Sequence, residues 1–208
     1  MANVDRSLYK VMNRFADRTA WAHGVVRFYA KDGVILFAIL LLAAWWRGRT
    51  STTPIVGVGM AVWAGAGALL ALAINQPIGA AIGRARPYTV IPDMHLLVDR
   101  TRDFSLASDH ATIAGAVAAG IWLVNRRLGL VAALATLAMA LARVYVGAHY
   151  PGDVVAGMAL GAVVVIGFHR VAARVIGPVL RAALRTPLRP LVSAAPSGDG
   201  AEETLSVP

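Results

Sequence analysis

Long apolar runs alternate with short polar stretches along this chain. The clearest run, residues 54–74, contains no charged residue and has the length of about 20 residues that a helix needs to cross a bilayer. The run 128–148 is interrupted only by Arg143 near its end. Three shorter runs reach spanning length when they take in polar neighbours. The pattern predicts five membrane-spanning helices, at about residues 27–46, 54–75, 108–125, 128–148 and 153–176.

The two ends of the chain have other patterns. Between residues 3 and 18, apolar side chains recur at helical spacing among charged ones: Val4, Leu8, Val11, Met12 and Phe15. This predicts an amphipathic helix, either lying on the membrane surface or packed against the bundle. Residues 187–208 are rich in Pro, Ser, Ala and Gly and end acidic, which predicts a disordered tail after a membrane domain of residues 1–186. We therefore expect an all-α integral membrane protein, a bundle of about five transmembrane helices with an N-terminal amphipathic helix.

Composition supports the membrane prediction. Hydrophobic residues make up 58% of the chain and charged residues 15%, and the mean hydropathy is +0.63. A chain this apolar could not cover itself with polar surface in water, which excludes an ordinary soluble domain. The absence of cysteine excludes disulfides, thiolate zinc sites and cysteine nucleophiles. The net charge of +9 then indicates loops beside anionic lipid, and no nucleic-acid partner is expected.

With five spans, one membrane face collects polar residues from separate parts of the chain. They are Arg84, Arg86, Ser108, Asp109, His110, Arg143, His149 and Asp153. The opposite ends of the spans hold arginines but no acid–base pair. Ionisable groups at the edge of membrane spans are costly and therefore indicate function.

The residue types on this face suit phosphoryl transfer. Arginine presents a fixed fork of donors that fits phosphate oxygens. His149 precedes Pro151, a residue favoured in the first turn of a helix, and Asp153 falls in that turn within reach of the imidazole. A carboxylate that holds one ring nitrogen leaves the other free as a nucleophile, and His110 offers a second proton-transfer group. Together these groups predict a covalent phosphohistidine.

Each part also has a purely structural interpretation. Arg86 before Pro87 is a possible membrane-edge anchor, Ser108 a helix N-cap, and the segment from His149 to Asp153 a plain turn-to-helix junction. Asp109 with Asp153 is a conceivable cation site. The convergence of three segments on one face favours the catalytic interpretation.

These segments resemble the type 2 phosphatidic acid phosphatases, the lipid phosphate phosphatase superfamily. The family pattern is Lys-x6-Arg-Pro, Pro-Ser-Gly-His and Ser-Arg-x5-His-x3-Asp. The corresponding segments here run from Gly79 through Arg84 to Arg86-Pro87, from Ala107 to His110, and from Ala142-Arg143 through His149 to Asp153. Ser-Asp-His in the second block resembles the bacitracin-resistance branch, the undecaprenyl diphosphate phosphatases.

The resemblance implies roles for individual residues. His149 would be the nucleophile, Asp153 its orienting partner and His110 the acid for the leaving group. The phosphate would be held by Arg86, Arg143 and Ser108, with Asp109 and Arg84 in the same substrate-binding set. Gly79, Ala107 and Ala142 depart from the pattern, and Gly79 removes a phosphate-binding lysine that Arg84 is expected to replace. The family implies no metal and no cofactor.

The predicted function is hydrolysis of a phosphate from a polyprenyl diphosphate such as undecaprenyl diphosphate, by a metal-independent membrane phosphatase. Alternatives are a phosphatase of phosphatidic acid, phosphatidylglycerol phosphate or a decaprenyl-linked sugar phosphate, or a non-catalytic phospholipid binder or transporter. The two short loops opposite the site are arginine-rich, although the N-terminal segment adds cations to the site face. The positive-inside rule then predicts a multi-pass protein of the bacterial cytoplasmic membrane with its site on the extracytoplasmic side.

Overall fold

A computed structural model describes residues 2–194, which are helical apart from short connections. A short 3₁₀ turn at Ala20–Ala22 follows the first helix. The α-helices are α1 (Ala2–Arg18), α2 (His23–Asp32), α3 (Val34–Arg49), α4 (Pro54–Ile82), α5 (Pro87–Val90), α6 (Asp109–Val124), α7 (Arg126–Tyr145), α8 (Pro151–Ala183) and α9 (Arg189–Val192). The all-α prediction is confirmed.

The predicted spans correspond to helices with different ends. Among residues 2–194, three helical stretches are long and apolar enough to cross a membrane. They are Pro54–Val90, which contains α4 and the short α5, Arg126–Tyr145 (α7) and Pro151–Ala183 (α8). Asp109–Val124 is apolar but shorter. The span predicted at 27–46 falls on α2 and α3, which meet at Gly33. Five crossings therefore remain a prediction.

Two predicted boundaries differ for local reasons. The span predicted at 54–75 continues as α4 to Ile82, where Gly83 takes a left-handed conformation with φ 62° and ends the helix. The span predicted at 128–148 ends as α7 at Tyr145, and Gly147 with φ 81° turns the chain toward α8.

The centre of the bundle is α6, which packs against α4, α7 and α8. Small residues allow the closest approach: a Cβ on Gly161 of α8 would lie 2.2 Å from the carbonyl oxygen of Thr112. Larger apolar side chains such as Phe37, Ile121 and Met139 fill the remaining core. This packing fixes the N-terminal end of α6 beside the N-terminal end of α8.

Helix α1 covers the predicted amphipathic segment and packs against the bundle, one of its two predicted environments. One face packs on the bundle, where Tyr9, Asn13 and Ala16 are buried. Val4 and Phe15 are more than half exposed on another face, as expected for contact with lipid. The packed face brings α1 against α7 and α8.

The first part of the predicted tail, residues 187–194, is structured. Helix α9 (Arg189–Val192) packs on the end of α3, where Trp45 donates to the Leu191 carbonyl at 2.9 Å. The Ala194 N–H donates to the Arg49 carbonyl at 3.1 Å. These contacts order the chain to residue 194, and the rest of the predicted tail, 195–208, lies outside the described residues.

Candidate active site

Four parts of the chain meet at one end of the bundle. They are the end of α4 with the loop after it, the loop before α6, the end of α7, and the start of α8. Backbone hydrogen bonds join the loops: the Ser105 N–H donates to the Arg84 carbonyl at 2.8 Å, and the Ser108 N–H donates to the Asp153 carbonyl at 3.1 Å. The predicted convergence of these segments is therefore present in the fold.

His149 lies at the centre of this end and is 1% exposed. Its Nδ1 lies 2.8 Å from the Ser105 carbonyl oxygen, which can only accept, so Nδ1 carries the proton. Its Nε2 lies 3.2 Å from Arg86 Nη1 and 3.3 Å from Arg143 Nη2, which can only donate. The contacts at both nitrogens assign the same tautomer, a neutral ring with its proton on Nδ1 and its lone pair on Nε2.

Electrostatics favours that neutral form. Burial removes the His149 ring from water and holds its pKa well below the usual value of 6.5, and the charges of Arg143 and Arg86 act in the same direction. An unprotonated imidazole nitrogen is a nucleophile, whereas an imidazolium is not. The site therefore holds Nε2 as an unprotonated nitrogen beside Arg86 and Arg143.

The two arginines are buried and partly unpaired. Arg86 donates to the Ala148 carbonyl at 3.1 Å and pairs with Asp103 at 2.8 Å. Burial would raise the pKa of Asp103, but a hydrogen bond from Thr101 and the charge of Arg86 hold it below its usual value. Arg143 donates to the Ala30 carbonyl at 3.0 Å, and no carboxylate within residues 2–194 pairs with it.

Three polar atoms of predicted site residues are buried with no hydrogen-bond partner in the described chain. They are Nε of Arg86, Nε of Arg143 and Oγ of Ser108. Buried polar groups are nearly always partnered, because leaving one unpaired costs about 1–3 kcal/mol. The three atoms, with the unpaired charge of Arg143, fit an anion that has several oxygens.

Asp153 is fully buried, but its contact with His149 is indirect. Its Oδ2 lies 3.9 Å from Nδ1 of His149, beyond hydrogen-bond distance. The carboxylate instead accepts from the Ser105 hydroxyl, the Tyr150 N–H at 3.0 Å and Arg84 at 2.5 Å. Asp153 is the third residue of α8, a position from which an acidic side chain reaches back to the N-cap.

Arg84 has partners other than those expected. Its guanidinium pairs with both Asp153 and Asp5 and lies 4.2 Å from the centre of the Tyr150 ring. The predicted replacement of the missing lysine by Arg84 therefore competes with a second role, holding Asp153. Position 79 itself is closely packed: a Cβ on Gly79 would lie 2.8 Å from the Leu106 carbonyl oxygen.

The remaining predicted residues lie around the same loop. Ser108 is the N-cap of α6, yet its hydroxyl makes no capping bond. Asp109 accepts from Asn75 at 2.7 Å and Gln76 at 3.1 Å, so its carboxylate is turned to amides of α4. His110 lies with Nε2 3.4 Å from the Lys31 carbonyl oxygen. The sequence suggested Asp109 and Asp153 as a possible cation site. In the structure each carboxylate instead accepts hydrogen bonds from its own set of protein donors.

The sequence reasoning missed four residues of this region: Asp5, Asn75, Asp103 and Ser105. Asn75 also donates to the Ala107 carbonyl at 2.8 Å and so fixes the loop before α6. A search for polar residues near the motif blocks would have found Asp103 and Ser105. Asp5 has no such signal, because it reaches the site only through the packing of α1.

A profile of the PAP2 superfamily matches residues 59–176, more than half of the chain and all four of the parts that meet at this end of the bundle. The chain belongs to the PAP2 superfamily. The family prediction is confirmed, and the chain is a membrane phosphatase of this superfamily.

Individual PAP2 relatives cover most or half of the chain. An undecaprenyl-diphosphatase of Bacillus subtilis is 27% identical over 165 residues, 79% of this chain and 81% of the relative. A decaprenylphosphoryl-5-phosphoribose phosphatase of Mycobacterium tuberculosis is 41% identical over 102 residues, 49% of this chain and 55% of the relative. Both names describe phosphatases of polyprenyl-linked phosphates.

The fold is that of a solved PAP2 protein. The transmembrane PAP2-type phosphatidylglycerolphosphate phosphatase of Bacillus subtilis superposes with a TM-score of 0.59 at 24% identity, covering 81% of this chain and 86% of that one. The likeness establishes the fold.

Proposed function

We propose that this PAP2 protein hydrolyses the terminal phosphate of a polyprenyl diphosphate, of the undecaprenyl diphosphate kind, through a phosphohistidine at His149. The observation that carries the proposal is the set of buried donors around an unprotonated Nε2. Arg86 and Arg143 face that atom, and both also have an unpartnered buried Nε. A phosphate placed there supplies acceptors for the arginines and an electrophile for His149.

The chemical steps use His149 and His110. The Nε2 lone pair attacks the terminal phosphorus and forms a P–N bond, while the bond from that phosphorus to the bridging oxygen breaks. The bridging oxygen leaves on the prenyl phosphate with a proton from the imidazolium form of His110, which becomes neutral. Water then attacks the phosphohistidine and gives a proton to His110. The P–N bond breaks, inorganic phosphate is released, and the lone pair returns to Nε2.

The arginines stabilise the charge that develops on the phosphoryl oxygens in both steps. Their donors are fixed by protein contacts, Arg86 on Asp103 and Ala148, and Arg143 on Ala30. Donors that are already oriented need no rearrangement during the reaction, which makes their electrostatic stabilisation effective. Ser108 adds a hydroxyl donor, and no metal or cofactor takes part in these steps.

A decaprenyl-linked sugar phosphate is the second candidate substrate. The Mycobacterium tuberculosis relative has a higher identity to this chain than the Bacillus subtilis undecaprenyl-diphosphatase, although its match covers only 49% of the chain. The two substrates differ in the group that leaves. A diphosphate releases a phosphate oxygen, which is a good leaving group, whereas a sugar phosphate releases an alkoxide that needs a proton. Loss of the His110 imidazole should therefore slow sugar phosphate hydrolysis more than diphosphate hydrolysis.

The test is phosphate release by the purified full chain in detergent, measured against undecaprenyl diphosphate, decaprenylphosphoryl-5-phosphoribose, phosphatidic acid and phosphatidylglycerol phosphate. The proposal predicts the highest kcat/KM for undecaprenyl diphosphate. A higher value for the phosphoribose substrate selects the second candidate. Absence of release from all four would leave a non-catalytic binder and contradict the proposal.

We also propose that the site opens on the extracytoplasmic side of the cytoplasmic membrane. The site lies at the end of α7 and the start of α8, whereas Arg47, Arg49 and Arg126 lie at helix ends on the other side of the bundle. Cations in short loops favour the cytoplasm. A fusion of alkaline phosphatase after Pro208 should be inactive, and an active fusion would reverse the orientation.

A further inference from the structure

The geometry points to Ser105 as the positioning residue that links Asp153 to the nucleophile His149, with Asp5 of α1 anchoring the far end of the link through Arg84. This inference rests on the proposed function of His149. It concerns residues outside the three motif blocks, and Asp5 lies outside the PAP2 match of residues 59–176.

Ser105 contacts both partners at once. Its backbone carbonyl accepts the Nδ1 proton of His149 at 2.8 Å, and its hydroxyl donates to Oδ2 of Asp153. The direct separation of Nδ1 and Oδ2 is 3.9 Å, too long for a hydrogen bond. Ser105 is fully buried, so water does not compete for either contact. The Asp153 carboxylate thus fixes the Ser105 side chain, and the Ser105 carbonyl orients the His149 ring.

The opposite side of the carboxylate is held by Arg84. Arg84 donates to Oδ1 of Asp153 and also pairs with Asp5. Asp5 accepts a second bond from the Gly152 N–H at 2.8 Å, which is in the first turn of α8. One carboxylate from α1 therefore fixes both the arginine and the start of the helix that carries Asp153.

The arrangement has a mechanistic consequence. Attack on phosphorus requires Nε2 to stay aligned, and a shift of about 1 Å in a reacting group can cost about 100-fold in rate. Loss of the Ser105 hydroxyl would remove one of the hydrogen bonds to Asp153 and detach the carboxylate from the loop residue whose carbonyl orients His149. The hydrogen bonds of the proposed phosphate-binding groups Arg86 and Arg143 go to residues other than Ser105, so substrate affinity should change little.

The experiment compares Ser105→Ala and Asp5→Asn in the full chain, each alone and together, by steady-state kinetics and alkaline-quench trapping of phosphoenzyme. The matched controls are Ser51→Ala, whose hydroxyl bonds Gly48 at the far end of the bundle, and Asp17→Asn on α1. For Ser105→Ala we expect kcat and the phosphorylation rate to fall about 10- to 100-fold, with KM within about 2-fold. For Asp5→Asn we expect a fall of about 3- to 10-fold.

The fall in kcat of the double variant should be smaller than the product of the two single falls, since both substitutions act on Asp153. A multiplicative loss, a rise in KM alone, or wild-type kcat in Ser105→Ala would overturn the link. Where Ser105→Ala does not fold, wild-type kcat in Asp5→Asn overturns the anchor. Failure of the wild-type chain itself to form phosphoenzyme would be a failure of the proposed function, and the two results are distinguishable.

Discussion

The Nη2 atom of Arg143 lies 3.3 Å from Nε2 of His149, so a buried cation is directed at the atom that would attack phosphorus. Arg143 is 8% exposed, and its other terminal nitrogen is held by the Ala30 carbonyl of α2. A buried charge without a counter-ion is costly. A phosphate bound at this position would relieve that cost, which links the fold of α2 and α7 to substrate binding.

Arg143→Lys should therefore impair the enzyme although it keeps the charge. A lysine ammonium is a single nitrogen and cannot hold the Ala30 carbonyl and a phosphate oxygen in the fixed geometry of a guanidinium. We expect kcat/KM for undecaprenyl diphosphate to fall about 10- to 1,000-fold, as for loss of one transition-state donor. Arg127→Lys, at the other end of α7, is the control. Wild-type kinetics in Arg143→Lys would show that charge alone suffices.

Gly79→Ala should destabilise the protein. The added Cβ would lie 2.8 Å from the Leu106 carbonyl oxygen, in the loop that leads to Ser108. Overpacking of this kind costs about 1–3 kcal/mol, or about 2–10 °C in melting temperature for a chain of this length. Gly167→Ala in α8 is the control, since no atom lies within 4 Å of that Cβ. Equal melting temperatures in the two variants would contradict the close packing at position 79.

Protein stability should depend on the protonation of His149. The pKa of His149 in the folded protein is well below its unfolded value of 6.5. The unfolded chain therefore binds the proton more tightly, and the stability present above pH 6.5 is lost as the pH falls below that value. We expect the melting temperature to fall between pH 7.5 and pH 5, and to fall less in His149→Gln. The same slope in both proteins would place the pH dependence elsewhere.

Chelation should leave activity unchanged. Asp109 bonds Asn75 and Gln76, and Asp153 bonds Arg84 and Ser105, so these carboxylates already have protein donors. Arginine and histidine perform the charge stabilisation and proton transfer in the proposed steps. Phosphate release with and without EDTA checks this. Inhibition that a divalent cation reverses would count against the mechanism.

The sequence predicted the site best where local rules apply. The segment from His149 to Asp153 is one loop and the first turn of a helix, so the spacing placed both residues at the site. The direct contact that it predicted between them is absent, because Nδ1 and Oδ2 are 3.9 Å apart. The lengths of the apolar runs place the ends of alternate helices on one face, which brought Arg86, Arg143 and Ser108 together. Their unpartnered atoms then appeared only in the structure.

Contacts between distant segments could not be predicted in this way. The direct partner of His149 is a backbone carbonyl, at Ser105, and any residue type supplies that atom. Asp5 is 148 residues from Asp153 and reaches its neighbours Arg84 and Gly152 only because α1 packs across α7 and α8. Ala194 is ordered by a backbone bond to Arg49, which composition does not indicate. Tertiary packing decided each of these contacts.

The most direct test of the account is to find the phosphate on His149. The wild-type chain would be mixed with undecaprenyl diphosphate labelled in its terminal phosphate, quenched in alkali, which preserves phosphohistidine, and digested for mass spectrometry. The account predicts a phosphorylated peptide that contains His149 in the wild type, and neither label nor phosphate release in folded His149→Ala. Label on another residue, or substantial turnover by His149→Ala, would contradict the assignment of His149 as the nucleophile.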